Sequence, residues 1–172
     1  MIFLRSTIGR AVRGVLLGLI LGANVLPAIG EEQKTLGAND QPIHDAARMG
    51  SGKDVEKILK AAPTARDAKT GQGSQPIHFA ATNPNPAALK ALIAAGADAN
   101  AKDIDGVTPL HMAVYTQNTN NTQLLLEAGA DPKAKTNAGR DVLSMARKSM
   151  ANEAAGVISL WILKGCQPRK PC

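Results

Sequence analysis

Aromatic side chains are scarce in this chain of 172 residues: one Trp, one Tyr and two Phe, 2% of the total against 44% hydrophobic residues. That scarcity argues against a large enzyme pocket lined by rings. Cysteine is equally sparse, with only Cys166 and Cys172, both in the last seven residues. There is no CxxC spacing and no adjacent histidine to make either a nucleophile. The sequence also lacks GxSxG, a phosphate-binding glycine loop, HExxH and a carboxylate pair flanking a pocket. No catalytic residue, cofactor or metal is therefore expected. A strong charge excess is missing too. The formal net charge is +6, but Arg5, Arg10 and Arg13 supply half of it, and residues 31–172 hold 17 basic against 14 acidic residues. Such a balance is too even for a phosphate-tracking surface, so no nucleic-acid partner is expected. The length fits one compact domain.

What is present begins with a leader. Residues Met1 to Arg13 are basic, and Gly14 to Leu26 form an uncharged run shorter than the roughly 20 residues a membrane-crossing helix needs. Ala28 and Gly30 place small residues where a signal peptidase inspects a cut before Glu31; a cut a few residues earlier is also compatible. Residues 1–30 read as a cleaved signal peptide, with an uncut anchor as the alternative. Export to the periplasm or beyond is the expectation, with no stable membrane insertion after cleavage. An oxidising compartment would let Cys166 and Cys172 pair around the tail 166–172; a free or intermolecular Cys172 is the alternative. So short a ring contributes only roughly 2 kcal/mol or less.

The dominant feature is repetition. The segments Gln41-Pro42-Ile43-His44-Asp45-Ala46-Ala47, Gln75-Pro76-Ile77-His78-Phe79-Ala80-Ala81 and Thr108-Pro109-Leu110-His111-Met112-Ala113-Val114 recur at 34 and 33 residues. A second landmark, Ala95-Gly96-Ala97-Asp98 and Ala128-Gly129-Ala130-Asp131, recurs at 33. A degenerate fourth copy lies at Asp141-Val142-Leu143-Ser144-Met145-Ala146. Proline in the first helical turn gives up an amide that has no partner there. Thr108 and Asp141 are capping residues, whereas Gln41 and Gln75 are poorer caps. Gly96 and Gly129 suit the left-handed end of a helix.

This pattern resembles the ankyrin repeat, with its TPLHxA signature and trailing GAD, over residues 39–165. The resemblance implies an all-α repeat solenoid of about four repeats, each a helix pair followed by a β-hairpin or loop, after an N-terminal extension 31–38 and with a modified C-terminal capping repeat. Outer helices are expected near 54–61, 86–94, 119–127 and 153–164, with Trp161 packing inside the cap. Gly71-Gln72-Gly73 and Asp103-Ile104-Asp105-Gly106 fall at turn tips. His44, His78 and His111 recur once per repeat, as buried imidazoles that stitch neighbouring repeats. One repeat apart, about 10 Å, they are too far apart to share a metal. The pattern departs from the family in the missing threonine of repeats one and two, in Gln117 where glycine is usual, and in an extra residue of repeat one placed near Gly50-Ser51-Gly52.

Function then rests on a surface. In this family the concave face typically binds another protein, and the positions left free by the core pattern are Arg48, Met49, Asn83, Tyr115, Thr116, Arg147 and Lys148 on the helices. Lys102, Asp103, Asp105, Lys135 and Asn137 join them on the finger turns. Tyr115, the only tyrosine, is a favoured anchor type, and Arg147 and Lys148 with Lys133, Lys135 and Arg140 make a basic end. The expectation is a non-catalytic exported scaffold, monomeric when free, that binds one protein. An immunity or inhibitor protein for a toxic enzyme is one version. An accessory protecting or positioning an envelope enzyme such as a catalase, and a secreted effector, are others. The rival from another class is a hydrolytic enzyme with a surface site near His111, Tyr115 and Asp105.

Overall fold

The computed structural model describes residues 40–168 and residue 170. The expected leader 1–30, the extension 31–38 and Cys172 lie outside the described residues. Among the described residues eight α-helices follow one another: α1 Pro42–Met49, α2 Gly52–Ala61, α3 Pro76–Thr82, α4 Ala87–Ala94, α5 Pro109–Tyr115, α6 Thr119–Ala128, α7 Val142–Lys148 and α8 Asn152–Leu163. The odd-numbered helices pack each against the next as an inner layer, and the even-numbered ones form an outer layer. Among the described residues there is no strand, only an isolated bridge between Lys135 and Asp141. The finger segments are therefore turns rather than hairpins. No helix among them is long and apolar enough to cross a membrane.

The core is aliphatic, as the composition requires. Ile43, Ile77 and Leu110 on the inner helices, and Leu89, Leu92, Leu125, Leu126 and Ile158 on the outer ones, are fully buried. Each such side chain contributes about 1.5 to 3 kcal/mol. Small residues at Ala47, Ala80, Ala81, Ala113 and Ala146 line the contacts between inner helices. Trp161 is buried in α8, as expected of the cap.

The helices start and stop where the local chemistry says. Pro42, Pro76 and Pro109 open α1, α3 and α5, and the Asp141 carboxylate accepts the Ser144 amide at 2.7 Å to cap α7. The weakness of Gln41 and Gln75 as caps is offset by histidine, whose Nδ1 accepts the glutamine's own backbone amide, at 2.8 Å for His44 and 3.1 Å for His78. The Thr108 hydroxyl lies 2.9 Å from Nδ1 of His111, so there the cap is shared between threonine and histidine. Gly129 ends α6 in the left-handed region at φ 105°.

One expectation is corrected. The extra residue of repeat one is not near Gly50. Val55 and Leu89 stand 13 residues past Pro42 and Pro76 and are both fully buried, so the helix pairs keep register. The surplus falls after α2, in a 3-10 turn at Pro63–Asp67 that the sequence pattern did not announce. Arg66 of this turn donates to the Ala95 carbonyl at the end of α4, where a cation suits the negative end of the helix.

Candidate functional site

The three repeated histidines are structural. His44 and His78 accept a backbone amide at Nδ1, so the proton must reside on Nε2, which donates to the carbonyls of Ala68 (3.0 Å) and Val107 (3.1 Å). His78 thereby ties repeat two to repeat three. Burial holds its imidazole below the ordinary histidine range, against the opposing pull of the Val107 carbonyl and the Asp103 charge. His111 is held low for the same first reason, desolvation. The Arg140 carbonyl lies beside it in the register of Val107 but outside hydrogen-bond geometry, and its buried Nε2 has no partner. No group of three metal-ligating side chains converges among the described residues.

Asparagines at the end of α3 and at the start of α6 do similar work. Asn83 is buried, and its Nδ2 donates to the carbonyls of Ala47 and Gly50, 3.2 Å each, across the repeat one to repeat two boundary. It is removed from the expected binding set. Asn118 and Asn121, not singled out in the sequence, reach back from repeat three: Asn118 donates to the Asn83 carbonyl, and Asn121, fully buried, to the carbonyls of Ala80, Ala81 and Asn83. Gln117 takes a left-handed conformation at φ 58° in place of glycine, and its side-chain amide donates to the Ser149 carbonyl of repeat four at 2.7 Å.

The finger turns repeat at 33 residues. Thr70, Asp103 and Thr136 each accept the amides of Gly73, Gly106 and Gly139 at their carbonyls, and all three glycines have φ of 72–74°. Asp103 spends its Oδ1 on the amides of Asp105 and Val107, which fixes its own turn. Asn137 donates to the Ile104 carbonyl, so it joins two fingers while remaining exposed. A Cβ on Gly106 would lie 2.9 Å from the Asn137 backbone nitrogen, so this close approach requires glycine. Lys102, Asp105 and Lys135 are exposed.

On the helices, Met49 and Tyr115 are exposed hydrophobics, 63% and 66% accessible. Thr116 is exposed but its hydroxyl donates to the Met112 and Ala113 carbonyls. Arg48 is committed within the chain: its guanidinium lies 4.4 Å from the Phe79 ring centroid, with Asp40 and Asp45 at 3.9 and 3.7 Å. The expected basic end divides in two. Tyr115, Arg140 and Lys148 border a cavity of about 400 Å³ on the inner face between repeats three and four. Arg147 lies with Lys133, Lys135 and Leu143 on a separate depression of about 390 Å³. The structure thus brings together Tyr115 and Lys148 and does not bring Arg147 to them.

No curated protein matches this chain. The protein-family model for ankyrin repeats in three copies matches residues 38–136, and the pair α7 and α8 continues the same stack beyond that span. With more than half of its length matched and its helix pairs stacked in two layers, the chain belongs to the ankyrin-repeat family.

Proposed function

We propose that this chain is an exported, non-catalytic scaffold that binds one protein partner through its inner face and finger turns, and that it inhibits that partner as an immunity protein does. Ankyrin repeats are in general a protein-interaction scaffold, and the single observation that carries the choice of face is Tyr115. An amphipathic ring left two-thirds exposed on an inner helix, beside an open cavity, has the chemistry of an interface anchor. The leader-like sequence of residues 1–30 supports a periplasmic or secreted location, where Cys166 would pair with Cys172. All three repeated histidines are buried, which leaves no imidazole at the surface for a hydrolytic site near His111.

Affinity capture from the envelope fraction of the producing cells, with the native chain and with Tyr115→Ala as parallel baits, tests this reading. A stoichiometric partner lost from the altered bait is expected. If its isolated activity falls on adding the native chain, the inhibitory role holds. A partner retained in full by Tyr115→Ala contradicts the inner-face assignment, and a partner whose activity is preserved rather than suppressed replaces inhibition with an accessory role.

A further inference from the structure

The repeat register arranges the inner face in two rows, Asp45, Phe79, Met112 and Met145, and, three residues further along each helix, Arg48, Thr82, Tyr115 and Lys148. The same positions are used differently at the two ends. In the first two repeats the rows close on themselves, because Arg48 covers the Phe79 ring and its charge is answered by Asp45 and Asp40. In the last two repeats Lys148 stands where Arg48 stood, but methionine replaces the aspartate at position 145. Neither Lys148 nor Arg140 has an ion-pair partner among the described residues. Two carboxylates of the flanking turns are spent on their own turns, Asp103 accepting the amides of Asp105 and Val107 and Asp141 that of Ser144, while Asp105 is exposed and makes no ion pair among the described residues. Between the two cations the apolar walls of Met112, Tyr115 and Met145 leave the cavity of about 400 Å³ open.

We infer that this groove binds an acidic segment of the partner protein, one large apolar side chain entering the cavity while neighbouring carboxylates meet Lys148 and Arg140. The partner supplies what the chain supplies to itself at Arg48: an apolar surface against the helices and negative charge beside the cation. Two methionines give the walls the adaptability that an inserted side chain needs, and complementary charge sets register and encounter rate. This inference rests on the reading of the inner face as the binding face.

The test is fluorescence anisotropy on the full chain with three short labelled peptides: a phenylalanine flanked by Asp and Glu, the same peptide with alanine for phenylalanine, and the same peptide with lysine for every acid. The acidic phenylalanine peptide is expected to bind at least about tenfold more tightly than either other, and progressively less tightly as salt rises. The double variant Arg140→Glu with Lys148→Glu is expected to lose at least about tenfold, and Met145→Asp, which restores an internal carboxylate, to weaken binding in the same direction. Lys90→Glu on the outer helices leaves it unchanged. Circular dichroism of each variant confirms that the fold is kept. Equal binding of the three peptides, preference for the lysine peptide, or no binding at all overturns the inference. The failures are separable: a captured partner lost with Tyr115→Ala but indifferent to the double charge reversal leaves the inner-face reading standing and removes this one.

Discussion

The first two repeats and the last two are built on one register but end in different states. At the first pair the inner face is closed by an arginine lying on a phenylalanine ring, with two carboxylates beside it. At the last pair Lys148, which matches Arg48, and Arg140 of the adjoining turn have no ion-pair partner among the described residues and border an open cavity. The polar stitching differs in parallel. Repeats one to three carry a histidine at the third helical position, and in repeats one and two its Nε2 reaches a carbonyl further along the stack. Repeat four carries Ser144 there, and no further helix pair follows α8 among the described residues. In repeat three the Nε2 of His111 has no hydrogen-bond partner, and its neighbours Met112 and Tyr115 line the open cavity.

The largest expected way to disturb this contrast is His78→Ala. It leaves the Val107 carbonyl and the Gln75 amide without their partners in a buried setting, and unfolding by urea is expected to show a loss of about 2 to 4 kcal/mol. Asn121→Ala removes donors to three carbonyls of repeat two and is expected to cost about 2 kcal/mol by the same measurement.

A pH series sharpens the contrast between stitched and unstitched repeats. His78 and His111 are held below their ordinary value by burial, so the unfolded chain binds more protons than the folded one once the pH drops through the ordinary histidine range. Their contribution is complete above about pH 6.5 and declines as the pH falls below it. Chemical denaturation between pH 7.5 and 5 is expected to show this decline, and His78→Gln is expected to flatten it. Asp141 titrates lower, held down first by its bond to the Ser144 amide, so its share is lost only as the pH falls below the ordinary carboxylate range.

Smaller effects test the open and closed faces directly. Asp141→Ala removes the cap of α7 and is expected to lower stability by about 1 kcal/mol. Arg48→Met opens the first pair of repeats into an imitation of the last, also at about 1 kcal/mol, since the ring contact and the partly exposed ion pairs are each worth little. Ser144→His, which places a histidine where no carbonyl of a following helix pair waits, is expected to change stability by less than about 0.5 kcal/mol. A cost comparable to that of His78→Ala would mean that the histidine acts within its own repeat rather than on the next.

Much of this architecture is legible in the sequence. With the ankyrin resemblance, the repeated motifs place the outer helices to within about two residues and the inner-helix starts at Pro42, Pro76 and Pro109, because proline and glycine mark helix ends for backbone reasons. The ankyrin resemblance implied buried histidines that stitch neighbouring repeats; all three are buried, but only His78 reaches the residue that leads into the next repeat, His44 bonding to Ala68 and the Nε2 of His111 having no partner. The commitments of individual polar side chains were not legible. Asn83 occupies a register position shared by Thr116 and Ser149, and only the packing reveals that it is buried with its donors spent across a repeat boundary. Arg48 and Lys148 likewise share a register position, and their difference depends on residue 145 being methionine where residue 45 is aspartate. The turn at Pro63–Asp67 was missed because an insertion leaves no periodic trace. A row-by-row reading of residues at one register position would have exposed the Asp45 to Met145 exchange.

Hydrogen exchange on the full chain with and without its captured partner addresses the central claim most directly, since it reports where the partner sits without altering a residue. Slower exchange confined to the finger turns around 103–106 and 136–140 and to the helix ends at 115–118 and 148–150, with the outer helices at 87–94 and 119–128 unchanged, is the predicted result. Protection of the outer helices with the finger turns and inner helix ends unchanged would contradict the assignment of binding to the inner face.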